Sequence, residues 1–289
     1  MSGDADLLVI PLTPSIISEG LFGVETMPLQ SGPMTGLALH RHDMGQIFSL
    51  AAGLCVIEHA TERVSVPPGR IGWIPPGVPH AALNHGDIAG WAAYLDPRLC
   101  GMLPPRPCAL ECSPLVPPIM ERLLALAGHA DIRNGPAASE SPGRTVLSEA
   151  AIRARKRRLV AVLLDELGEV SPVLTHLPFP RDARFSPVVQ ALINDPSDAR
   201  QVREWARLAM MSERTFSRLF SRETGMTFDR WRRRVRLMRG RELLAEGVPV
   251  KEAAWGVGYE NVSAFIAGFR SIFGTTPGRV AKQKAGGTA

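Results

Sequence analysis

Residues 202–227 read VREWARLAMMSERTFSRLFSRETGMT, and residues 250–276 read VKEAAWGVGYENVSAFIAGFRSIFGTT. The two stretches begin alike: valine, a base, glutamate, then Trp-Ala or Ala-Ala. The second is one residue longer at its turn, and from there the register is constant at 49, pairing Phe216 with Phe265, Phe220 with Phe269, Gly225 with Gly274 and Thr227 with Thr276. Each copy carries the signals of a short helix, a tight turn and a second helix. Val202, Trp205 and Ala206, or Val250, Ala253 and Ala254, make the buried side of the first helix. The turn passes through Met210–Met211 or Val257–Gly258. Ser212 or Asn261, both good N-caps, opens the second helix. In that helix Phe216, Leu219 and Phe220, or Phe265 and Phe269, face inward. Such a unit is a helix-turn-helix, whose second helix can enter a DNA major groove. A plain helical hairpin would bury the same positions. Arg214, Arg218 and Arg222 set the first copy apart from one, because they lie at i, i+4 and i+8 opposite the phenylalanine stripe.

Between the copies lies FDRWRRRVRLMRGRELLAEG, residues 228–247. Trp231, Val235, Met238, Leu243 and Leu244 form an apolar stripe, and arginine fills much of the rest. A helix of about 19 residues spans roughly 28 Å, against about 34 Å between successive turns of one DNA groove. A rod of that length can hold two reading heads over adjacent major-groove segments. Its arginines are expected to reach phosphate in part. The charge balance agrees: residues 199–289 carry 18 Lys/Arg and 8 Asp/Glu, whereas residues 1–198 carry 15 and 20. A basic end on an acidic remainder points to a polyanion partner, nucleic acid first.

The second unit through FGTTPGR, with its Gly258-Tyr259 turn, the Phe265/Phe269 pair and the closing Thr276-Pro277, resembles the signature region of AraC-type bacterial transcription regulators. The resemblance covers about 100 residues. It implies a bilobed domain with one helix-turn-helix per lobe, which binds double-stranded promoter or operator DNA. It also implies control of transcription by recruiting RNA polymerase, as an activator, or by blocking it. Carried over by position, Arg214, Ser217 and Arg218 would be the first lobe's base readers, with Arg222 beside them. Arginine is the usual partner of guanine O6 and N7. In the second lobe the corresponding set is Ser263, Ala264 and Ala267, which are small and nearly mute. That lobe is therefore expected to position on phosphate, through Arg270 and the helix N-terminus at Asn261, with at most a serine or methyl contact to bases.

Residues from about 35 to 98 have a different character. Short apolar stretches such as GLALH, LCVIEHA and GWAAYLD are broken by Gly and Pro, which predicts strands of a small sandwich or barrel. In HRHDMGQ, residues 40–46, a strand would turn His40, His42 and Gln46 to one side. The spacings His40-x-His42-x3-Gln46-x6-Gly53 and Gly69-x5-Pro75-x-Gly77-x2-His80-x3-Asn84 resemble the two motifs of cupin barrels, with Gln in place of the usual Glu. In metal-binding cupins the matching residues are ligands, here His40, His42, Gln46 and His80. Three neutral nitrogens and a neutral oxygen suit one divalent transition metal such as Zn, Ni, Fe or Mn. Barrels that keep a ligand pocket without a metal hold the same histidines by hydrogen bonds alone, and both readings stand at this point. His59, His85, His129 and His176 fall outside the pattern, as surface or packing residues.

The middle of the chain is helical. PPIMERLLALAG predicts a helix that starts near Pro117 and stops at Gly128. HADIRNGPAASESPGRT has the composition of a flexible loop. A helix capped by Ser148 follows, with Ile152, Leu159, Leu163 and Leu167 on one face and Arg153–Arg158 as a solvated face. Its apolar face either packs on its own domain or pairs two subunits into a homodimer. SPVLTHLPFPRDARFSP is Pro-rich and reads as a linker. Cys100, Cys108 and Cys112 lie close in sequence, as a thiol metal or redox site would need, but not at zinc-finger spacing; with Cys55 they otherwise read as ordinary small apolar residues.

The fold class expected is thus α+β and multidomain. An N-terminal arm and cupin-type barrel (1–98) senses a small molecule or metal, connecting helices and linker span 99–182, and an all-α double helix-turn-helix domain occupies 183–289. At 289 residues and 45% hydrophobic, with no apolar run of 18 residues, the chain is globular and no membrane partner is expected. The acidic start MSGDADLLVIPLTP does not read as a signal peptide, which places the protein in the bacterial cytoplasm, at the nucleoid. The leading expectation is an effector-responsive transcription factor and not an enzyme. The alternatives are a metal-dependent cupin enzyme fused to a DNA-binding domain, for which no acid or base stands out beside Gln46, and an architectural DNA binder.

Overall fold

The computed structural model describes residues 8–9, 36–131, 148–170 and 176–285. The barrel is built on two long antiparallel partners, β3 (Gly45–His59) and β6 (His80–Leu95), paired from Gly45↔Leu95 to Glu58↔Ala81. Beyond β6 lie β2 (Gly36–Arg41) and the short parallel β1 (Leu8–Val9). Beyond β3 lies β4 (Glu62–Val66), and β5 (Arg70–Ile74) also pairs with β3. The register slips between Leu50 and Leu54, where Gly53 has φ +78. A bulge of this kind bends a strand and lets the sheet curl.

Alternation along the strands sends side chains to two separate cores. Phe48, Leu50, Ile74 and Ala92 point inward with Ile57, Val64 and Val66. Ile47, Trp73, Ala93 and Leu95 point outward beneath two helices, α1 (Val116–Asp131) and α2 (Glu149–Glu169), which contribute Met120, Leu123, Leu163 and Leu167. Both faces are buried here, so these strands show little polar alternation. The apolar side of α2 therefore packs on its own domain, and Ser148 caps its N-terminus by accepting from the Ala151 N–H at 3.2 Å.

The structure corrects the sequence reading in three places. Helix α1 runs past Gly128 to Asp131. A glycine inside a helix costs only about 1 kcal/mol, which the packed turns before it offset. The sheet does not end at residue 98: β7 (Cys108–Glu111) pairs with β5, and β8 (His176–Pro178) pairs with β4. The Pro-rich segment read as a linker thus supplies β8. It is also fastened to the helical domain, because Trp231 Nε1 donates to Pro178 O at 2.6 Å and Arg234 to His176 O at 3.2 Å. The loop expected from residue 129 lies, from 132 on, outside the described residues.

Downstream, α3 (Ser186–Asn194), α4 (Val202–Leu208) and α5 (Glu213–Thr224) make one lobe; α7 (Val250–Gly256), α8 (Val262–Phe273) and α9 (Pro277–Ala285) make the other. The rod α6 (Phe228–Glu246) serves both. Trp231, Val235 and Met238 enter the first core with Phe185, Trp205, Phe216 and Phe220. Leu237 and Leu244 enter the second with Ala253, Val257, Phe265 and Phe269. The C-terminal half of α6 also rests on the barrel, where Ala245 packs with Leu54, Val56 and Leu83.

Candidate nucleic-acid interface and metal centre

The residues that the two repeats share are all structural. The paired phenylalanines fill the cores. Gly225 and Gly274 close α5 and α8 in the left-handed conformation, at φ 72 and 68. Thr227 and Thr276 open the next helices, accepting from the N–H of Arg230 at 3.3 Å and of Arg279 at 3.4 Å. The turns also superimpose in bonding pattern. Met210 N donates to Arg207 O and Met211 N to Ala206 O; 48 residues on, Gly258 N donates to Trp255 O and Tyr259 N to Ala254 O. Met210 and Gly258 share a positive φ, 53 and 79.

The residues on the open faces of α5 and α8 differ between the copies. On α5, Arg214, Ser217, Arg218 and Arg222 all face solvent, opposite Phe216 and Phe220. Arg222 is 3.9 Å from Glu223, and its side chain is 70% exposed. On α8, Ser263, Ala264, Ala267 and Arg270 face solvent as well. The constant offset of 49 pairs Ser217 with Ile266, so Ile266 and not Ala264 stands in that reader's place. Ile266 is 37% exposed. Counting strictly along the repeat would have found it. Asn261 is largely committed elsewhere. Its Oδ1 caps α8, accepting from the N–H of Ser263 at 2.8 Å and of Ala264 at 3.3 Å, two donors that a phosphate would otherwise use.

The rod's arginines are mostly not a phosphate face. Arg232 donates to the carbonyls of Asp198 and Arg200. Arg236 donates to Pro196 O at 2.9 Å and Gly258 O at 3.2 Å, joining the first lobe to the second lobe's turn. Arg234 is tied to β8, and Arg241 lies buried over the Phe273 ring. Arg230 and Arg233 are the two that stay exposed on α6. Helix-terminal and loop carbonyls need donors, and a guanidinium with five N–H groups can serve several at once.

In the barrel, HRHDMGQ is not one strand. His40 lies on β2, His42 in the bend after it, and Gln46 on β3. They converge nonetheless. His40 sits directly across from His80 in the β2–β6 ladder, and Gln46 across from Tyr94 in the β3–β6 ladder. Gly77, at φ +69, donates to His42 O at 2.8 Å, which holds the turn that returns His80 to the same place. The rings of His40 and His80 are 4.2 Å apart, and those of His42 and His80 5.0 Å.

Each imidazole has its proton accounted for. Nδ1 of His40, His42 and His80 meets the carbonyls of Ala38 (2.8 Å), Met44 (2.6 Å) and Val78 (2.8 Å). A carbonyl only accepts, so Nδ1 carries the proton and Nε2 carries a lone pair. Burial holds His42 below its usual range and pushes His80 down to about 4, which favours these neutral forms. The ligand atoms of the three histidines lie within 4.8 Å of one another. Against this, Gln46 Oε1 is 3.1 Å from His42 Nε2, an acceptor facing an acceptor. Two arrangements remove the conflict. Turned over, the amide donates to His42 and accepts from the Tyr94 hydroxyl, now 3.4 Å from the amide nitrogen. Otherwise a cation lies between the two atoms: ligands at right angles and about 2.1 Å from an ion are about 3 Å apart. One amide can serve only one of three lone pairs, and the cation serves all. The donor set therefore fits a divalent metal.

Residues 205–283 match the family model of a helix-turn-helix domain, and residues 25–163 that of the AraC-like ligand binding domain. Over 243 residues the chain is 31% identical to the HTH-type transcriptional regulator NimR of Escherichia coli K12, covering 83% of this chain and 81% of that protein.

The chain belongs to the AraC family of transcriptional regulators.

A second relative, the HTH-type transcriptional regulator RipA of Corynebacterium glutamicum, is 36% identical over 101 residues, 35% of this chain and 30% of that protein. Among solved structures, ToxT from Vibrio cholerae aligns over 90% of this chain and 98% of its own, at 9% identity and a TM-score of 0.37. The family assignment makes this a two-part regulator, with a ligand-binding sheet domain and a DNA-binding helical domain. Among the described residues no helix is long and apolar enough to cross a membrane.

Proposed function

We propose that this regulator is a metal-dependent effector sensor coupled to a two-headed DNA reader. The barrel would hold one divalent transition ion (Zn, Ni, Fe or Mn) through His40, His42, His80 and Gln46. The observation that carries this reading is the set of three Nε2 lone pairs, each freed by a proton committed to a backbone carbonyl. All four donors are neutral, so a bound ion keeps its full +2 charge and supplies coordination for an anionic effector. No carboxylate joins the three histidines within ligand distance among the described residues, which favours a sensor over a catalyst.

Arg214, Ser217 and Arg218 would read bases, with Arg222 and Arg270 on phosphate. The protein would act in the cytoplasm as a homodimer, activating or repressing through RNA polymerase, with effector binding shifting a balance between two domain arrangements. The test is elemental analysis of protein purified without a His tag or chelator, followed by promoter binding with and without the metal. The reading predicts about one equivalent of metal per chain, lost in His80→Ala, and DNA affinity that changes on metal removal. Metal-free protein that takes up no divalent ion on titration would contradict it.

A further inference from the structure

The second reading helix poses a question that the first does not. On α8 the exposed stripe Ser263, Ile266, Ala267, Arg270 follows i, i+3, i+4, i+7 and occupies, 49 residues on, the place of Arg214, Ser217, Arg218 and Ser221 on α5. Those four residues, with Ser271 and Thr276, line one shallow open depression on the surface. Its central members, Ile266 and Ala267, are apolar and exposed. Arg270 stands in the helix's last turn, and Asn261 has its oxygen bound to the helix's own N–H groups. No side chain at the centre of the stripe can make a bidentate contact to a purine edge. The major groove offers one apolar feature, the 5-methyl group of thymine. The same surface on α5 is the one proposed above to read bases, and the domain is a DNA-binding one, so DNA is the occupant this depression is matched to.

We propose that the second lobe specifies thymine through its methyl groups, with Ile266 and Ala267 as the contact and Arg270 as the phosphate anchor that sets their depth. The two heads would then use opposite chemistries on one duplex. The first reads hydrogen-bonding edges through arginine, and the second reads a hydrocarbon through isoleucine. This inference rests on the DNA-reading assignment of α5 and α8.

The test uses the full chain and a duplex selected from a random-sequence library. The half-sites are assigned by finding which positions lose base preference in Arg218→Ala. Each thymine of the other half-site is then replaced, one at a time, by deoxyuracil, which deletes the methyl and keeps every hydrogen-bonding group. Expected is a loss of about threefold to fivefold in affinity at one or two adjacent thymines, the worth of one buried methyl. In Ile266→Ala that penalty shrinks toward onefold, while the sensitivity of the first half-site to base changes stays. Deoxyuracil substitutions that are all silent, in a half-site that still discriminates between base pairs, would overturn the inference and leave DNA reading intact. A half-site with no base preference at all would overturn it too. Selection of no sequence whatever would instead sink the DNA-reading assignment itself.

Discussion

Arg214 and Arg218 are exposed on α5, one turn apart, on the side away from Phe216 and Phe220. A planar guanidinium there matches the two acceptors of guanine. Arg218→Ala is expected to weaken specific binding by about 1–3 kcal/mol and to relax base choice at one position. A gel-shift titration against single-base variants of the selected site checks this, and unchanged affinity and selectivity would count against it. Gly258 works by conformation instead. Its φ is +79, and a Cβ would stand 3.0 Å from Ser197 Cα and 3.2 Å from the Arg236 guanidinium. Gly258→Ala should lower the unfolding free energy by about 1–2 kcal/mol, read as a drop in the urea midpoint. Met210→Gly, at the equivalent turn of the first lobe where the side chain is 81% exposed, should not destabilise. At this scale the sequence spoke clearly for the cores and caps, because a repeat exposes which residues a fold needs twice. It spoke poorly for Ile266, since an isoleucine among phenylalanines suggests core until the helix face is known.

Element α6 shows where a pattern misleads. An arginine-dense helix between two DNA-binding units suggests a phosphate comb, but Arg232, Arg234 and Arg236 turn inward to carbonyls of loops and of β8. Periodicity cannot reveal this, because a guanidinium that binds carbonyls and one that binds phosphate sit at similar positions on a helix. The two roles separate by experiment. Arg236→Ala should cost about 2–3 kcal/mol of stability, since charged hydrogen bonds are lost, and leave the salt dependence of DNA binding unchanged in whatever fraction folds. Arg233→Ala should leave stability nearly unchanged and reduce the slope of log affinity against log salt by about 1. The reverse pairing would refute the division of labour. Strand β8 gives a pH signature. Burial first, then the charges of Arg106 and Arg234, push His176 down to about 4 from an ordinary value of 6.5. The folded chain thus holds the neutral ring while the unfolded chain takes a proton more readily. Stability is complete above about pH 6.5 and is lost as pH falls from there toward 4. His176→Gln should flatten that part of the urea-midpoint profile, and an unaltered profile would show that the ring is not held neutral.

For the whole molecule, the joint between barrel and rod was the least legible feature. His85 Nδ1 meets Glu246 at 2.8 Å, Arg63 is 3.7 Å from Glu242, and Arg239 bonds Glu242 at 3.0 Å. Gly86, at φ +74, brings the barrel backbone so close that a Cβ would lie 2.2 Å from Ala245 O. His85, read from sequence as a surface or packing residue, is a packing residue buried in this contact. The Arg239–Glu242 pair lies within α6, but the two that cross to the barrel join residues 161 or more positions apart, and no local spacing announces them. The two parts themselves were visible, because one alternates and turns while the other repeats, and because their charges differ in sign. What the joint adds is a fixed bearing for α6, the rod that spaces the two heads.

That spacing is the central claim, and hydroxyl-radical footprinting of the full chain on its selected duplex tests it most directly. The account predicts two protected patches on one face of the DNA, centred about 10–10.5 base pairs apart, with the patch nearer the Arg218-dependent bases lost first in Arg214→Ala/Arg218→Ala. A single patch, or two patches on opposite faces of the duplex, would contradict it.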